Sequence, residues 1–245
     1  MGSLHKGHLS LVQRAVSENK EVIISIYVNP TQFNDKEDLK KYPRNLDNDL
    51  KLLNDINNVL VYTPSDSDLY GQDEKSKKHN FGDFMNIMEG KQRPDHFDGV
   101  ATIVEKLFKI FTPDNAYFGE KDFQQLILIK SLAEKLNPDL NVVGCKTIRE
   151  KDGLAMSSRN KLLSKKERES AGEIIKLLLK AKEMNSDFDY RQIKNEVVRH
   201  IHSVEGITLE YFEIMDLSKF LNTIEKRAFI ACKVGNVRLI DNIRI

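Results

Sequence analysis

The stretch that most constrains the fold is Val22-Ile23-Ile24-Ser25-Ile26-Tyr27-Val28. A near-continuous run of β-branched residues suits a strand covered on both faces, and such strands belong to parallel sheets. The run stops at Asn29-Pro30-Thr31-Gln32-Phe33, where proline removes the N–H that a central strand must donate. On both sides of it the apolar period becomes helical. Leu9, Val12 and Val16, with Ala15 beside them, predict a helix over 8–19. Leu46, Leu50 and Leu53 predict one over 47–57 with those leucines on the inward face, before a short strand at 59–62. Val100, Ile103, Val104, Leu107, Phe108 and Phe111 form an uninterrupted helical stripe that Pro113 ends. A short strand at 116–118, a helix carrying Phe123, Leu126, Ile127, Ile129 and Leu132, and a strand from Val142 to 148 complete the alternation. Alternating strands and helices predict an α/β fold, a doubly wound parallel sheet over 1–147.

After 148 the pattern changes. A polar loop runs to Asn160, followed by helices over 164–184 and 190–204, the first with Ser164 and Glu167 in capping-box spacing. Strands at 207–215, 228–234 and 237–242 follow, the last two separated by Gly235-Asn236 as a hairpin turn. Helices followed by antiparallel strands predict a smaller α+β domain over 148–245. The segment 65–80 reads as an exposed polar loop and 81–89 as a short helix.

Charge narrows the function classes. Lys and Arg number 38 against 37 Asp and Glu, a formal net charge of +1. No global basic field points to nucleic acid, and no charge excess points to disorder. Cys145 and Cys232 are far apart and lack metal-site spacing, so they read as ordinary buried thiols of a reducing cytoplasm. No apolar run approaches the roughly 20 residues of a membrane span.

The polar chemistry sits at strand ends and helix starts, where ligands of doubly wound sheets bind. Met1-Gly2-Ser3-Leu4-His5-Lys6-Gly7-His8 leads directly into the first helix. Unpaired N–H groups and the positive end of the helix dipole suit an anion there, and two imidazoles can donate to charge on a phosphoryl group. Gly119-Glu120-Lys121-Asp122 lies between a strand and a helix, with Lys121 placed to meet a phosphate and Gln125 one turn on to present an amide. Asn29 and Gln32 end the buried strand. Met156-Ser157-Ser158-Arg159-Asn160 offers two hydroxyls and a guanidinium, a set suited to polyphosphate. Each motif alone has an ordinary structural reading as a cap, a turn or a surface loop.

Together, in this order, they resemble pantothenate synthetase, the pantoate–β-alanine ligase family of the nucleotidyltransferase superfamily. The likeness runs through Gly-Ser-Leu-His-Lys-Gly-His at 2–8, Val-Asn-Pro-Thr-Gln-Phe at 28–33, Tyr-Pro-Arg at 42–44 and Glu-Gly-Lys-Gln-Arg-Pro-Asp-His-Phe-Asp-Gly-Val at 89–100. It continues in Phe-Gly-Glu-Lys-Asp-Phe-Gln-Gln at 118–125, Asp-Gly-Leu-Ala-Met-Ser-Ser-Arg-Asn at 152–160 and Arg-Leu-Ile-Asp-Asn at 238–242.

The resemblance implies a Rossmann-like first domain that binds nucleotide and pantoate, and a C-terminal lid. It implies attack of pantoate on the α-phosphate of ATP, giving pantoyl adenylate and pyrophosphate. Attack of β-alanine then gives pantothenate and AMP, on the route to coenzyme A. Catalytic roles would fall to His5, His8, Lys121, Ser157, Ser158 and Arg159. ATP would also meet Met1, Gly2, Gly119, Asp122 and Met156. Asn29, Gln32, Tyr42, Arg93, His96 and Gln125 would bind or support pantoate and β-alanine. Mg2+ would ride on the phosphates, with Asp49 the protein candidate, although Asn48 stands where the family often has a carboxylate. The resemblance further implies a cytoplasmic homodimer joined through the first domain, without nucleic-acid or membrane partners. Two other readings follow from the superfamily and from the start of the chain: a cytidylyl- or adenylyltransferase, and an inactive N-terminally truncated form. The family carries a central strand ahead of the position matching Met1, so the first strand of the sheet is expected to be missing and both its neighbours to have unpaired edges.

Overall fold

The computed structural model describes residues 1–71, 75–218, 220–221 and 224–245. The chain divides into two compact units, Met1–Lys146 and Thr147–Ile245. Part of the polar loop expected over 65–80, residues 72–74, lies outside the described residues.

The first unit runs α1 (Lys6–Glu18), β1 (Val22–Ser25), α2 (Lys36–Lys41), α3 (Leu46–Leu53), β2 (Val59–Tyr62), α4 (Asp66–Leu69), α5 (Met88–Gln92), α6 (His96–Phe111), β3 (Asn115–Gly119), α7 (Phe123–Leu136) and β4 (Asn141–Cys145). Its strands are all parallel, but they form two separate pairs. β1 pairs with β2 in the register Val22 to Val59, and β3 pairs with β4 in the register Asn115 to Asn141. Among the described residues, neither β1 nor β3 has a second strand neighbour. The sheet does not close where a central strand was expected. Met1 marks the gap: its amino group donates to Ser25 O at 2.8 Å, and Tyr27 N–H donates to Met1 O at 2.8 Å, the alternation of a parallel ladder. Helix α1 packs on both pairs. Leu4, Val12 and Ala15 meet Val22, Ile24 and Leu53, with Tyr117 of β3 against the same cluster. Asn19, just past the end of α1, donates to Tyr117 Oη at 2.7 Å.

Two sequence readings need correction here. The run 22–28 is a strand only over its first four residues, and it is covered on one face alone. Ile24 is buried, whereas Ile23 is 43% exposed, and Leu60, its partner on β2, is 62% exposed. Ile23 and Leu60 share the face of the β1–β2 pair that stays exposed. Helix α3 is also turned relative to its leucine stripe: Leu46 and Leu50 are exposed, and the buried pair is Asp49 and Leu53, four residues apart. A buried carboxylate with backbone partners sets the helix face more strongly than two leucines do.

The short helix expected over 81–89 is replaced by a 3₁₀ turn at Asp83–Asn86 and by α5. Helix α6 lies against the Asn29–Phe33 turn at Gly99, where any Cβ would come within 2.4 Å of Thr31 O.

The second unit contains a 3₁₀ turn at Ser158–Leu162, then α8 (Lys165–Ala171), α9 (Glu173–Met184), α10 (Tyr190–His202), β5 (Ile207–Asp216), β6 (Lys226–Val234) and β7 (Val237–Arg244). The helix expected over 164–184 is split at Gly172, and its Ser164–Glu167 capping box is formed. The sheet is antiparallel in the order β5-β6-β7, with Gly235 at φ +55° in the hairpin turn. Ile174, Leu178, Ile193, Val197 and Ile201 pack on Phe212, Ile230 and Cys232, all essentially without exposure. Both cysteines are free and buried, and burial pushes the Cys232 thiol up to about 12.

Candidate active site

His5 caps α1. Its Nδ1 accepts the Gly7 N–H at 3.1 Å, so the ring proton sits on Nε2, which becomes a donor. The His8 ring stacks beside it, with centroids 4.0 Å apart. His8 Nδ1 is buried and has no hydrogen-bond partner among the described residues. Burial, then the charges of His5, the amino terminus and Lys121, lower the His8 pKa to about 3. The free protein therefore presents a neutral imidazole at pH 7. An arriving phosphate would find a helix N-terminus, a neutral imidazole and a lysine close enough to be felt by that imidazole.

Lys121 and Asp122 stand on the turn that follows β3, 3.5 Å apart, and Gly119 ends that strand. Asp122 also acts electrostatically on His96, which links this turn to the one after β1. His96 is buried at the start of α6. Its Nδ1 donates to Gln32 O at 2.8 Å, and its Nε2 accepts from Arg93 Nη1 at 3.2 Å. Arg93 Nη2 donates to the same Gln32 carbonyl at 3.2 Å. Burial, reinforced by the Arg93 charge, lowers the His96 pKa to about 4 and keeps the imidazole neutral. Arg93 and His96 thus hold the Gln32 backbone. Gln32 and Gln125, by contrast, have no side-chain hydrogen bond to any described residue, and both are half-buried, Gln32 on the turn Pro30–Gln32 and Gln125 in the first turn of α7. Tyr42 packs edge-on against Phe33, 5.4 Å between centroids.

Asn29 is tied into the scaffold. Its Nδ2 donates to Gly99 O at 3.1 Å, and its Oδ1 accepts from Thr31 and, at 2.8 Å, from Tyr70 Oη. Gln124, which the sequence reading passed over, is the structural twin of Gln125. It accepts Glu89 N–H at 3.0 Å and donates to Phe84 O and Ile87 O, pinning α5. Only burial separates these adjacent glutamines, and helical phase was the one available signal.

Asp49 is the metal candidate, and its surroundings do not fit that role. It is 1% exposed, and its two oxygens accept the N–H groups of Ser3 and Leu4 at 2.8 and 2.6 Å. Among the described residues, no group of three or more His, Cys, Asp or Glu is placed to hold a metal ion.

In the second unit, Ser157 caps the 3₁₀ turn by accepting the Arg159 N–H at 3.3 Å, and Ser158 is buried. The approach to Met156 is braced by Arg149, which donates to Gly153 O at 3.0 Å and forms a two-pronged pair with Asp241 at 2.6 and 3.0 Å. Asn160 Nδ2 donates to Glu150 at 2.7 Å, and Asn160 Oδ1 is buried without a hydrogen-bond partner among the described residues.

A parallel α/β unit that gathers a helix N-terminus, paired imidazoles and a lysine at its strand ends defines an enzyme built to handle nucleotide phosphates. Comparison with known proteins narrows the class. The family model described as pantoate–β-alanine ligase matches residues 1–244. The pantothenate synthetase of Bacteroides thetaiotaomicron is 45% identical over 250 aligned residues, covering 100% of this chain and 88% of that protein. That of Flavobacterium psychrophilum is 44% identical, covering 100% and 89%. The solved structure of pantothenate synthetase from Thermus thermophilus superposes with a TM-score of 0.92 at 36% identity, covering 99% of this chain and 90% of that one. A Francisella tularensis pantoate–β-alanine ligase, complexed with β,γ-ATP and β-alanine, gives a TM-score of 0.80 at 36% identity, covering 100% and 87%. The chain belongs to the pantoate–β-alanine ligase family.

Proposed function

We infer that this chain joins pantoate to β-alanine at the expense of ATP, in two steps. The pantoate carboxylate attacks the α-phosphorus and pyrophosphate leaves. The β-alanine amine then attacks the acyl carbon of pantoyl adenylate, AMP leaves, and the amine proton passes to solvent. No protein nucleophile is needed, so the protein's work is positioning and charge stabilisation.

The observation that carries this reading is the set of unspent polar groups at the strand ends of the first unit. Among the described residues, His8 Nδ1 and the side-chain amides of Gln32 and Gln125 have no hydrogen-bond partner, while Asn29 and His96 beside them are bonded to the scaffold. A small hydroxy acid needs amide donors and acceptors, and an α-phosphate needs neutral donors beside a cation. On this reading Gln32 and Gln125 take the pantoate hydroxyls and carboxylate. Asn29, Tyr42, Arg93 and His96 support them. His5 and His8 donate to the α-phosphate, and Lys121, Ser157, Ser158 and Arg159 meet the phosphate chain. Met1, Gly2, Gly119, Asp122 and Met156 lie along the nucleotide. Mg2+ enters as part of the ATP complex, carried by phosphate oxygens. We further propose a cytoplasmic homodimer joined through the first unit. Among the described residues, no helix is long and apolar enough to cross a membrane.

A nucleotidyl transfer would keep the nucleotide in the product, and an inactive form would leave ATP intact. Incubation with ATP, Mg2+, pantoate and isotopically labelled β-alanine separates these. Labelled pantothenate detected by mass is the expected product, and a nucleotide-bearing product or none would refute the ligase reading.

A further inference from the structure

Asp49 is spent on backbone, and what it holds is the segment that delivers the two histidines. The N–H groups it accepts belong to Ser3 and Leu4, the residues immediately before His5. Ser3 sits at φ +50°, a conformation that non-glycine residues rarely adopt and that needs support from its surroundings. A carboxylate accepting two N–H donors supplies such support as a charge-assisted pair. The helix that carries Asp49 is itself fixed. Asn45 caps α3 by accepting the Asn48 N–H at 2.9 Å, and Leu53, one turn beyond Asp49, packs in the same cluster as Leu4. The neighbouring groups do not build a cation site: Asn48 is neutral, and Asp47 faces solvent.

We propose that Asp49 is a positioning residue and not a metal ligand. It clamps the strained Ser3–Leu4 backbone, so that His5 Nε2 and His8 meet the α-phosphate in register. The proposal rests on the ligase reading for its catalytic consequence, but the clamp itself can be measured without turnover.

The test is Asp49→Asn, which keeps the shape and turns one acceptor into a donor that faces an N–H. Ring resonances of His5 and His8 in the ligand-free protein are expected to move, with those of His96 unchanged. The kcat is expected to fall by about 10- to 100-fold, the usual cost of losing a group that orients a reacting side chain. The Mg2+ concentration for half-maximal rate and the KM for pantoate should stay within about twofold, well below that loss. Adding Ser3→Gly, which takes φ +50° without strain, should restore part of kcat and the histidine signals, and provides a folded protein if the single variant is unstable. Unmoved His5 and His8 resonances with a severalfold higher Mg2+ requirement would overturn the proposal. If the parent protein forms no AMP, the ligase reading fails, and the resonances alone decide the clamp.

Discussion

The two units manage sheet edges in opposite ways. In the second, β6 is flanked on both sides and its residues 227–232 are all buried, with Ala228, Ile230 and Cys232 in the core formed with α9 and α10. In the first, β1 and β3 each have a single strand partner, and Ile23 and Leu60 face solvent. The first unit nevertheless carries the paired histidines, Lys121 and the free glutamines. Its site is held by point contacts: Asp49 on Ser3 and Leu4, Asn29 on Gly99, His96 and Arg93 on Gln32. Both units have apolar cores, but the site residues of the first are placed by buried hydrogen bonds. A site can thus be locally well defined on a sheet that is not continuous.

The largest expected effect separates the two packings. Phe212→Ala in the second unit should cost about 3–5 kcal/mol in urea unfolding, because the ring is fully buried. Leu60→Ala in the first should cost less than about 0.5 kcal/mol, as an exposed side chain does. Equal costs would erase the contrast.

A second test repairs the open edge. Extending the chain ahead of Met1 by an apolar segment would lengthen the parallel pairing with β1 that Met1 begins. Each large apolar side chain buried contributes about 1.5–3 kcal/mol. The melting transition should rise by roughly 4 °C or more. Unchanged melting in calorimetry would show that the edges were not a liability.

The adjacent glutamines sharpen the comparison within the first unit. Gln124→Ala removes the side-chain acceptor of the Glu89 N–H and the amide donor to Phe84 O and Ile87 O, and should cost about 1–3 kcal/mol. Gln125→Ala should leave stability unchanged and raise the KM for pantoate. Reversed phenotypes would show that the two roles are exchanged.

A further effect is with pH. His8 and His96 have folded pKa values near 3 and 4, below the 6.5 of an unperturbed imidazole. The unfolded chain therefore takes up protons first as pH falls. Their contribution to stability is complete above pH 6.5 and is lost as pH drops through 4 toward 3. Thermal unfolding of His96→Gln should show a shallower loss over that interval than the parent protein, and an identical slope would contradict the buried neutral imidazole.

Much of this was legible in the sequence. The strand–helix alternation, the His5–His8 helix start, the Ser164–Glu167 cap and the Gly235 turn are local patterns, and the structure contains each of them. What was hidden depended on distant partners. The phase of α3 turned on Asp49 meeting Ser3 and Leu4, 46 and 45 residues away. The exposure of Ile23 turned on what packs over its face of the sheet rather than on its own β-branched side chain. Asn29 and Gln32 look alike as polar strand-end residues. Only the fold shows that the Asn29 amide is committed to Gly99 and Thr31, while the Gln32 amide is unspent.

The measurement that bears most directly on the central claim is AMP release from ATP and Mg2+, with pantoate and β-alanine supplied separately and together. The account predicts that AMP accumulates only with both, while pantoate alone yields pyrophosphate in step with enzyme-bound adenylate. AMP formed without β-alanine at the same rate, or no AMP with both substrates present, would contradict it.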